Sequence, residues 1–344
     1  MSFWRIMLTA LGAQLILVGA GAALFGLGGM DGLFSAFRAG WIDTLNNFAP
    51  LWLAGGLVGA VLVIMALERR PARSVLLAIS LLGTVVSGLP VAGELAARTR
   101  IALAPRATGP SLRVMTFNAF DESFAPRLGV AEILAVDADV VAVQELRTLR
   151  YFLPELRARY PYQTPCGVDC PVAILAKRAP SAMGLDHLSG AALGPVKAPG
   201  DGDVEVAHMT FAMADGAPIT VATTHFHWPG PPLPYRRQQA VLAHWAARQP
   251  TQRLVLTGDF NLAPWTFGMR RQDASLRPLD RVTRALPTWP AYIPRFYINN
   301  PLPFLPIDHI YIGPGLQAQR VARQGRAGSD HRPILVDLKA RPVS

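Results

Sequence analysis

Hydrophobic positions are distributed along this chain in two regimes. Three stretches near the start carry no charge: residues 6–30 between Arg5 and Asp31, 44–67 between Asp43 and Glu68, and 74–93 between Arg73 and Glu94. A helix needs roughly 20 mostly apolar residues to cross a hydrocarbon layer about 30 Å thick, and each stretch meets that length. Gly and Ala recur within them, as expected where spanning helices pack closely. The first stretch is too long for the apolar core of a cleaved signal peptide, and two further spans follow it. The pattern predicts a membrane module with three transmembrane helices over residues 1–96, then a linker over 97–110, where Pro105 and Pro110 frame small residues.

From residue 111 the pattern changes to short β-branched runs that stop at polar or turn residues. Leu112–Phe117 ends at Asn118, Asp139–Val143 leads into Gln144-Glu145, Ile219–Thr224 into His225, and Leu254–Thr257 into Gly258-Asp259. Ile310–Ile312 follows Asp308-His309, and Pro333–Leu338 follows His331. Runs of this kind read as buried strands. Pro126–Val136 and Tyr235–Arg248 carry apolar residues at three-to-four spacing and predict amphipathic helices. Strands interleaved with helices imply α/β layers over residues 111–344. No internal repeat or low-complexity tract interrupts them, and a Pro- and aromatic-rich loop is expected over 286–306.

Composition agrees with this division. Of the 344 residues 51% are hydrophobic and only 16% charged, against about 25% charged in ordinary soluble domains. The deficit lies before residue 111, where eight basic and four acidic side chains occur. The net charge of +10 favours anionic partners such as phosphoesters, nucleic acid or lipid headgroups, although an Arg-rich composition alone would produce it. Short basic loops stay cytoplasmic, so Glu68-Arg69-Arg70-Pro71-Ala72-Arg73 places the N-terminus inside and the end of the third span outside. Arg98, Arg100 and Arg106 act in the opposite sense. Cys166 and Cys170 have no neighbouring His or Cys to complete a zinc site; a disulfide-closed loop fits an oxidising compartment, with two buried thiols as the other reading. The expected location is a multi-pass inner (plasma) membrane protein with its catalytic domain outside the cytoplasm.

The candidate chemistry sits at the strand ends. Asn118, Glu145, Asp259, Asp308 and Asp330 are oxygen donors suited to a hard cation such as Mg²⁺, and His225 and His331 could stabilise charge or donate a proton. No Gly-rich phosphate loop, Cys/His zinc cluster or Gly-x-Ser-x-Gly elbow competes. The ordered set Thr116-Phe117-Asn118, Gln144-Glu145, Thr224-His225, Gly258-Asp259-Phe260-Asn261, Ile307-Asp308-His309 and Ser329-Asp330-His331 resembles the endonuclease/exonuclease/phosphatase family. That family includes DNase I-like nucleases, abasic-site endonucleases, inositol-phosphate phosphatases and neutral sphingomyelinases. The resemblance implies a four-layered α/β sandwich with two central, mostly antiparallel sheets. It implies Glu145 as principal Mg²⁺ ligand (Mn²⁺ being the alternative metal), with Asn118 beside it and Asp330 near the ion. Asp259 would orient or deprotonate the attacking water, and Asn261 would hold a phosphoryl oxygen or that water. His331 would bind the phosphate with its ring fixed by Asp308, and His225 would contact the phosphate or protonate the leaving oxygen. His227 and His309 are expected to be non-catalytic. The family pattern often has an acidic residue two or so positions after the Asn, whereas Ala119-Phe120 here precede Asp121 and Glu122.

The substrate is less legible. Arg236 and Arg237 are candidates for a second phosphate. Trp289, Tyr292, Arg295, Phe296 and Tyr297 could stack bases, meet lipid at the interface, or simply pack. Membrane attachment favours a lipid-linked phosphate or pyrophosphate, with an extracytoplasmic nuclease second and a non-catalytic tethered binding module third. No obligate protein partner is evident.

Overall fold

The computed structural model describes residues 3–29, 40–167, 170–193, 202–229, 232–293 and 298–341. They form two compact units: one of residues 1–97 with 229–232 and 262–270, the other of the remainder.

The first unit contains helices α1 (Phe3–Gly26), α2 (Gly40–Asn46), α3 (Ala49–Ala66) and most of α4 (Arg70–Leu103). Of these, α1, α3 and α4 are long and apolar enough to cross a membrane. The uncharged stretch 44–67 is split because the chain turns at Asn47-Phe48 and Pro50 then starts α3 with its preset φ. Small residues let the helices touch: a Cβ on Gly59 would lie 2.7 Å from the Gly12 carbonyl, and one on Gly83 2.6 Å from the Ala20 Cα. An ion pair between Arg5 and Glu68 holds the start of α1 and the α3–α4 turn at one end. Near the chain's other turn, the buried Asp43 carboxylate accepts from Phe267 N (2.9 Å) and Gly268 N (2.6 Å), and Asn47 Oδ1 from Ala263 N (2.8 Å).

The first half of the expected linker 97–110 is helical. Helix α4 runs on to Leu103, because Glu94–Leu103 is rich in good helix formers and meets no breaker before Pro105.

The second unit begins with β1 (Ser111–Asn118), α5 (Pro126–Val136), β2 (Val140–Gln144), α6 (Leu153–Leu156), β3 (Tyr162–Gln163) and β4 (Val172–Ala176). It continues through β5 (Ala182–Leu188), β6 (Val204–Ala212), β7 (Pro218–His225), α7 (Pro232–Ala247), β8 (Leu254–Asp259) and α8 (Phe267–Ser275), whose first residues belong to the helical unit. Then come β9 (Asp280–Arg281), β10 (Tyr292–Ile293), β11 (Ile298–Asn299), β12 (Asp308–Ile312), β13 (Leu316–Arg323) and β14 (Ile334–Ala340). One six-stranded sheet has the order β13-β14-β1-β2-β4-β3, the other β5-β6-β7-β8-β12-β9. Each is antiparallel except at one pair, β1∥β2 and β7∥β8, whose crossovers are α5 and α7. The proline- and aromatic-rich loop contains the short antiparallel pair β10 and β11.

Alternation along the strands builds the layers. Leu112 and Val114 of β1 join Val221, Val255 and Ile310 in a core between the sheets, whereas Met115 and Phe117 point the other way to Val130 and Ile133 of α5. On the far side Tyr235 of α7 meets Phe226, ring centroids 5.5 Å apart. Helix, sheet, sheet and helix are therefore stacked, and the inner strands are covered on both faces, which is why they read as continuous apolar runs. Burying each large side chain contributes about 1.5–3 kcal/mol.

Candidate active site

The parallel pairs bring the polar residues together. In the first sheet Asn118 and Gln144 are register partners at the ends of β1 and β2; in the second, Asp259 pairs with both His225 and Asp308. The sheets are joined at this end by the buried Gln144 amide, which donates to Thr116 Oγ1 of its own sheet (3.1 Å) and Thr223 Oγ1 of the other (2.6 Å). Gly258 allows β8 to lie close to β7, since a Cβ there would fall 2.2 Å from the Thr224 carbonyl oxygen. Glu145 and Asn261 sit just past their strands with φ of 53° and 51°, a left-handed conformation costly for non-Gly residues and characteristic of functional sites.

Glu145, His225 and Asp259 offer ligand atoms within 4.8 Å of one another, and so do Asp259, Asp308 and His331. Asn118 Nδ2 donates to Glu145 Oε1 (2.7 Å) and Asp259 Oδ2 (3.0 Å), while its Oδ1 accepts from Phe120 N (3.0 Å). Asn118 thus clamps the two carboxylates, and would present oxygen to an ion only with its amide turned over. His225 Nε2 lies 3.3 Å from Glu145 Oε1. His331 Nδ1 is 2.8 Å from Asp308 Oδ2, and its Nε2 is 3.6 Å from Asp259 Oδ2 and 4.0 Å from Asp330 Oδ1.

Burial and charge set the protonation states. Burial works against the Glu145 charge, but His225, the Asn118 hydrogen bond, His331 and the Asp121 N–H outweigh it and hold the carboxyl below its ordinary range. Burial pushes His225 below the usual imidazole range despite Glu145. It raises Asp259 well above the carboxylate range against the pull of His331. For His331 burial is overcome by Asp308, Asp259 and Asp330, which keep the ring charged well above the ordinary histidine range.

Other expected residues are placed less directly. Asn261 donates its backbone N–H to Asp259 Oδ1 (2.8 Å) and its side-chain amide to the Phe226 carbonyl (2.7 Å), so it braces the loop around Asp259. Trp289 donates its indole N–H to Asp330 Oδ2 (2.9 Å) and packs against the exposed Trp228, with ring centroids 6.2 Å apart. Arg236 and Arg237 lie half-buried on α7, Arg237 against Gly202. Arg295, Phe296 and Tyr297 fall outside the described residues. His309 is buried, its ring tilted against that of Phe260 and its Nδ1 3.3 Å from Thr283 Oγ1. Asp121 turns its carboxylate to Arg147 N (2.8 Å) and gives only its N–H to Glu145 Oε2 (3.1 Å). Cys166 and Cys170 are joined in a disulfide.

Two supports escaped sequence reasoning. Thr288 donates from Oγ1 to the same Asp308 oxygen that holds His331. Ser329 Oγ donates to the Asn118 carbonyl (2.7 Å) and accepts from His331 N (2.9 Å), linking the first and last strands of the site. Ser329 stood beside the Asp-His pair as a signal; Thr288 left none.

The donor set fits a divalent cation. Carboxylates and one amide dominate it, and their mutual repulsion favours a positive ion among them. Among the described residues Asp330 Oδ1 and His225 Nε2 are buried without a hydrogen-bond partner, as potential ligands would be.

Comparison with known proteins follows the same lines. The family model described as Endonuclease/Exonuclease/phosphatase family matches residues 115–331. The endonuclease/exonuclease/phosphatase from Bacteroides vulgatus is 17% identical with a TM-score of 0.55, covering 67% of this chain and 99% of that one. The D. rerio TDP2 complexed with single strand DNA product is 16% identical with a TM-score of 0.53, covering 66% and 98%. The human Nocturnin catalytic domain with bound sulfate anion is 17% identical with a TM-score of 0.50, covering 68% and 96%. These likenesses are of fold. No curated protein matches the chain.

Proposed function

Because the chain belongs to the endonuclease/exonuclease/phosphatase family, whose common chemistry is hydrolysis of phosphoester bonds, we propose that it is a membrane-anchored, Mg²⁺-dependent hydrolase of a lipid-linked phosphate or pyrophosphate outside the cytoplasm. The observation that carries the chemistry is the buried His331–Asp308 pair beside Glu145 and Asp259.

Glu145, Asp330 and the oxygen of Asn118 would hold the ion, with His225 and Asp259 at hand. Bound there, a divalent cation would neutralise charge on the phosphoryl oxygens. Asp259, raised by burial, is a stronger proton acceptor than a surface carboxylate and takes the proton of the attacking water. His331, kept cationic by three carboxylates, donates from Nε2 to the phosphoryl group as negative charge grows on it. Asp308 accepts from His331 Nδ1 and so points Nε2 at the reacting group. Asn261 keeps the Asp259 carboxylate oriented through its backbone N–H. His225 lies on the same rim, where the leaving oxygen would need a proton.

The substrate class rests on attachment and compartment. A domain continuous with membrane-spanning helices meets lipid-borne phosphates at high local concentration. The Arg5–Glu68 pair sets the N-terminus and the basic 68–73 turn at the same end of the helical unit, which supports a cytoplasmic position for both under the preference for positive charge inside. The Cys166–Cys170 disulfide fits an oxidising compartment.

The test is phosphate release from a lipid pyrophosphate by the detergent-purified full chain, with Asp259→Ala and a chelator as controls. Release lost in both controls supports the proposal. Release unaffected by Asp259→Ala removes the assigned site. Cleavage of plasmid DNA without lipid turnover would replace the substrate by nucleic acid.

A further inference from the structure

A cavity of about 260 Å³ opens between the end of α4, the segment after β9 and strand β13, lined by Arg98, Ile101, Arg284, Leu286, Gln319 and Arg320 among others. That is far more than the ~30 Å³ share of one water molecule. None of these residues belongs to the carboxylate–histidine cluster. Its lining carries three arginines and no acidic side chain. Arg284 is balanced from outside by Asp280 (3.1 Å) and Asp273 (3.9 Å), so the surplus positive charge comes from Arg98 and Arg320. Arg98 Nη1 donates to the Ala285 carbonyl (2.9 Å), which fixes the guanidinium at one wall. Gln319 supplies a polar demand: both its amide atoms are buried and have no hydrogen-bond partner among the described residues. Buried polar groups ordinarily find partners, and an amide beside arginines is a phosphate-binding combination. Ile101 and Leu286 give the cavity an apolar side as well.

Its position along α4 points to the source of that phosphate. The third uncharged stretch ends at Gly93, and α4 continues without a break to Leu103. At ~1.5 Å per residue Arg98 lies about 7.5 Å further along the axis. A headgroup layer is about 5–8 Å deep on each side of the hydrocarbon, so a hydrocarbon layer ending with the uncharged stretch of α4 would put Arg98, on the same helix, at headgroup depth.

We propose that this cavity binds the phosphate of an anionic phospholipid headgroup, as a second site distinct from the site of hydrolysis. Arg98 and Arg320 pair with the phosphate oxygens, the Gln319 amide completes their hydrogen bonding, and Ile101 and Leu286 face the glycerol. The site does not depend on which phosphoester the active site cleaves.

The test uses the full chain reconstituted in phosphatidylcholine nanodiscs with or without phosphatidylglycerol, with chelator present so that hydrolysis does not intervene. Native mass spectrometry after delipidation reads the phosphatidylglycerol retained per chain. Wild type is expected to retain phosphatidylglycerol over phosphatidylcholine, and Arg98→Gln/Arg320→Gln to lose about tenfold in affinity, the scale of one charge-assisted hydrogen bond. Arg100→Gln, on the same helix but outside the lining, should retain it like wild type. Should the double variant misfold, Gln319→Leu keeps the bulk and should show a loss of the same sign. Retention by the double variant equal to wild type, or an equal loss in Arg100→Gln, overturns the proposal. Displacement of the lipid by equimolar inorganic phosphate would assign the cavity to a soluble phosphate and overturn the lipid source.

Discussion

Replacing Asp308 by Asn tests the proposed catalytic geometry while leaving Glu145, Asn118 and Asp330, the residues assigned to hold the ion, in place. Asp308 Oδ2 accepts from His331 Nδ1 at 2.8 Å and from the Thr288 hydroxyl, and the carboxylate and ring are 3% and 5% exposed. Asn can still accept both hydrogen bonds, so the shape of the site survives while one buried negative charge disappears. A hydrogen bond to a charged partner contributes about 1.5–3 kcal/mol, roughly twice a neutral one. Losing half to all of that from the transition state lowers kcat by about 3- to 100-fold, at 1.4 kcal/mol per tenfold, overlapping the range common for residues that orient a reacting group. Asp308 is too deeply buried to reach substrate, so KM should change by less than about threefold, the signature of an interaction made in the transition state. Asp308→Ala, which strands the Thr288 hydroxyl and the His331 N–H, should cost more in both turnover and stability. The assay is steady-state phosphate release at saturating Mg²⁺, with thermal midpoints recorded for each variant. Turnover by Asp308→Asn within twofold of wild type, with the fold intact, would refute the assigned role of the pair.

Further predictions concern the scaffold. Gly258→Ala would drive a Cβ to 2.2 Å from the Thr224 carbonyl; the strands must shift, stability should fall by about 1–3 kcal/mol, and turnover should drop with the displaced Asp259, so an unchanged kcat in this variant counts against the close-approach argument. Gly59→Ala should lower the thermal midpoint of the detergent-solubilised chain because its Cβ meets the Gly12 carbonyl at 2.7 Å, whereas Gly21→Ala meets nothing within 4 Å and should be neutral; equal effects would contradict the packing described. Asp273→Asn should destabilise by about 3–5 kcal/mol, since Arg281, with a fully buried side chain, donates to both Asp273 oxygens at 2.9 and 2.8 Å. Burial opposes the Asp273 charge, but Arg281, Tyr311 and Arg284 hold its carboxyl below the ordinary range, so its contribution is complete above about pH 4 and is lost as pH falls through the depressed folded value. The difference between wild type and Asp273→Asn in denaturant midpoint should therefore shrink in strong acid; a constant difference would sink this reading.

Much of the site was readable because its chemistry is written at strand ends. A buried strand must stop at a polar or turn residue, so the apolar runs before Asn118, Glu145, His225 and Asp259 marked both the element and the functional position. The pattern for α5 was equally local, and Pro126–Val136 is the observed helix. Strands β5 and β13 went unseen because each has an exposed or half-exposed face, with burial varying irregularly along it, and their hydrophobic period is weak.

The sequence by itself determined what local periodicity and hydropathy carry: apolar segments long enough to span a membrane, the interleaved strands and helices, and the ordered polar residues shared with a phosphoester-hydrolase family. Pairing was decided only in three dimensions. Strand β14 returns to β1, and that antiparallel register brings the Ser329-Asp330-His331 segment to the end of β1 at Asn118; a period of two records that a strand has two faces but not which strand lies beside it. Side-chain direction was also tertiary. Trp289 serves Asp330 and Asn118 turns its NH₂ to two carboxylates, because buried hydrogen-bonding groups take whatever partner the packed neighbours bring within reach. The arginine-lined cavity at the end of α4 likewise exists only because helix, loop and strand from distant parts of the chain converge there.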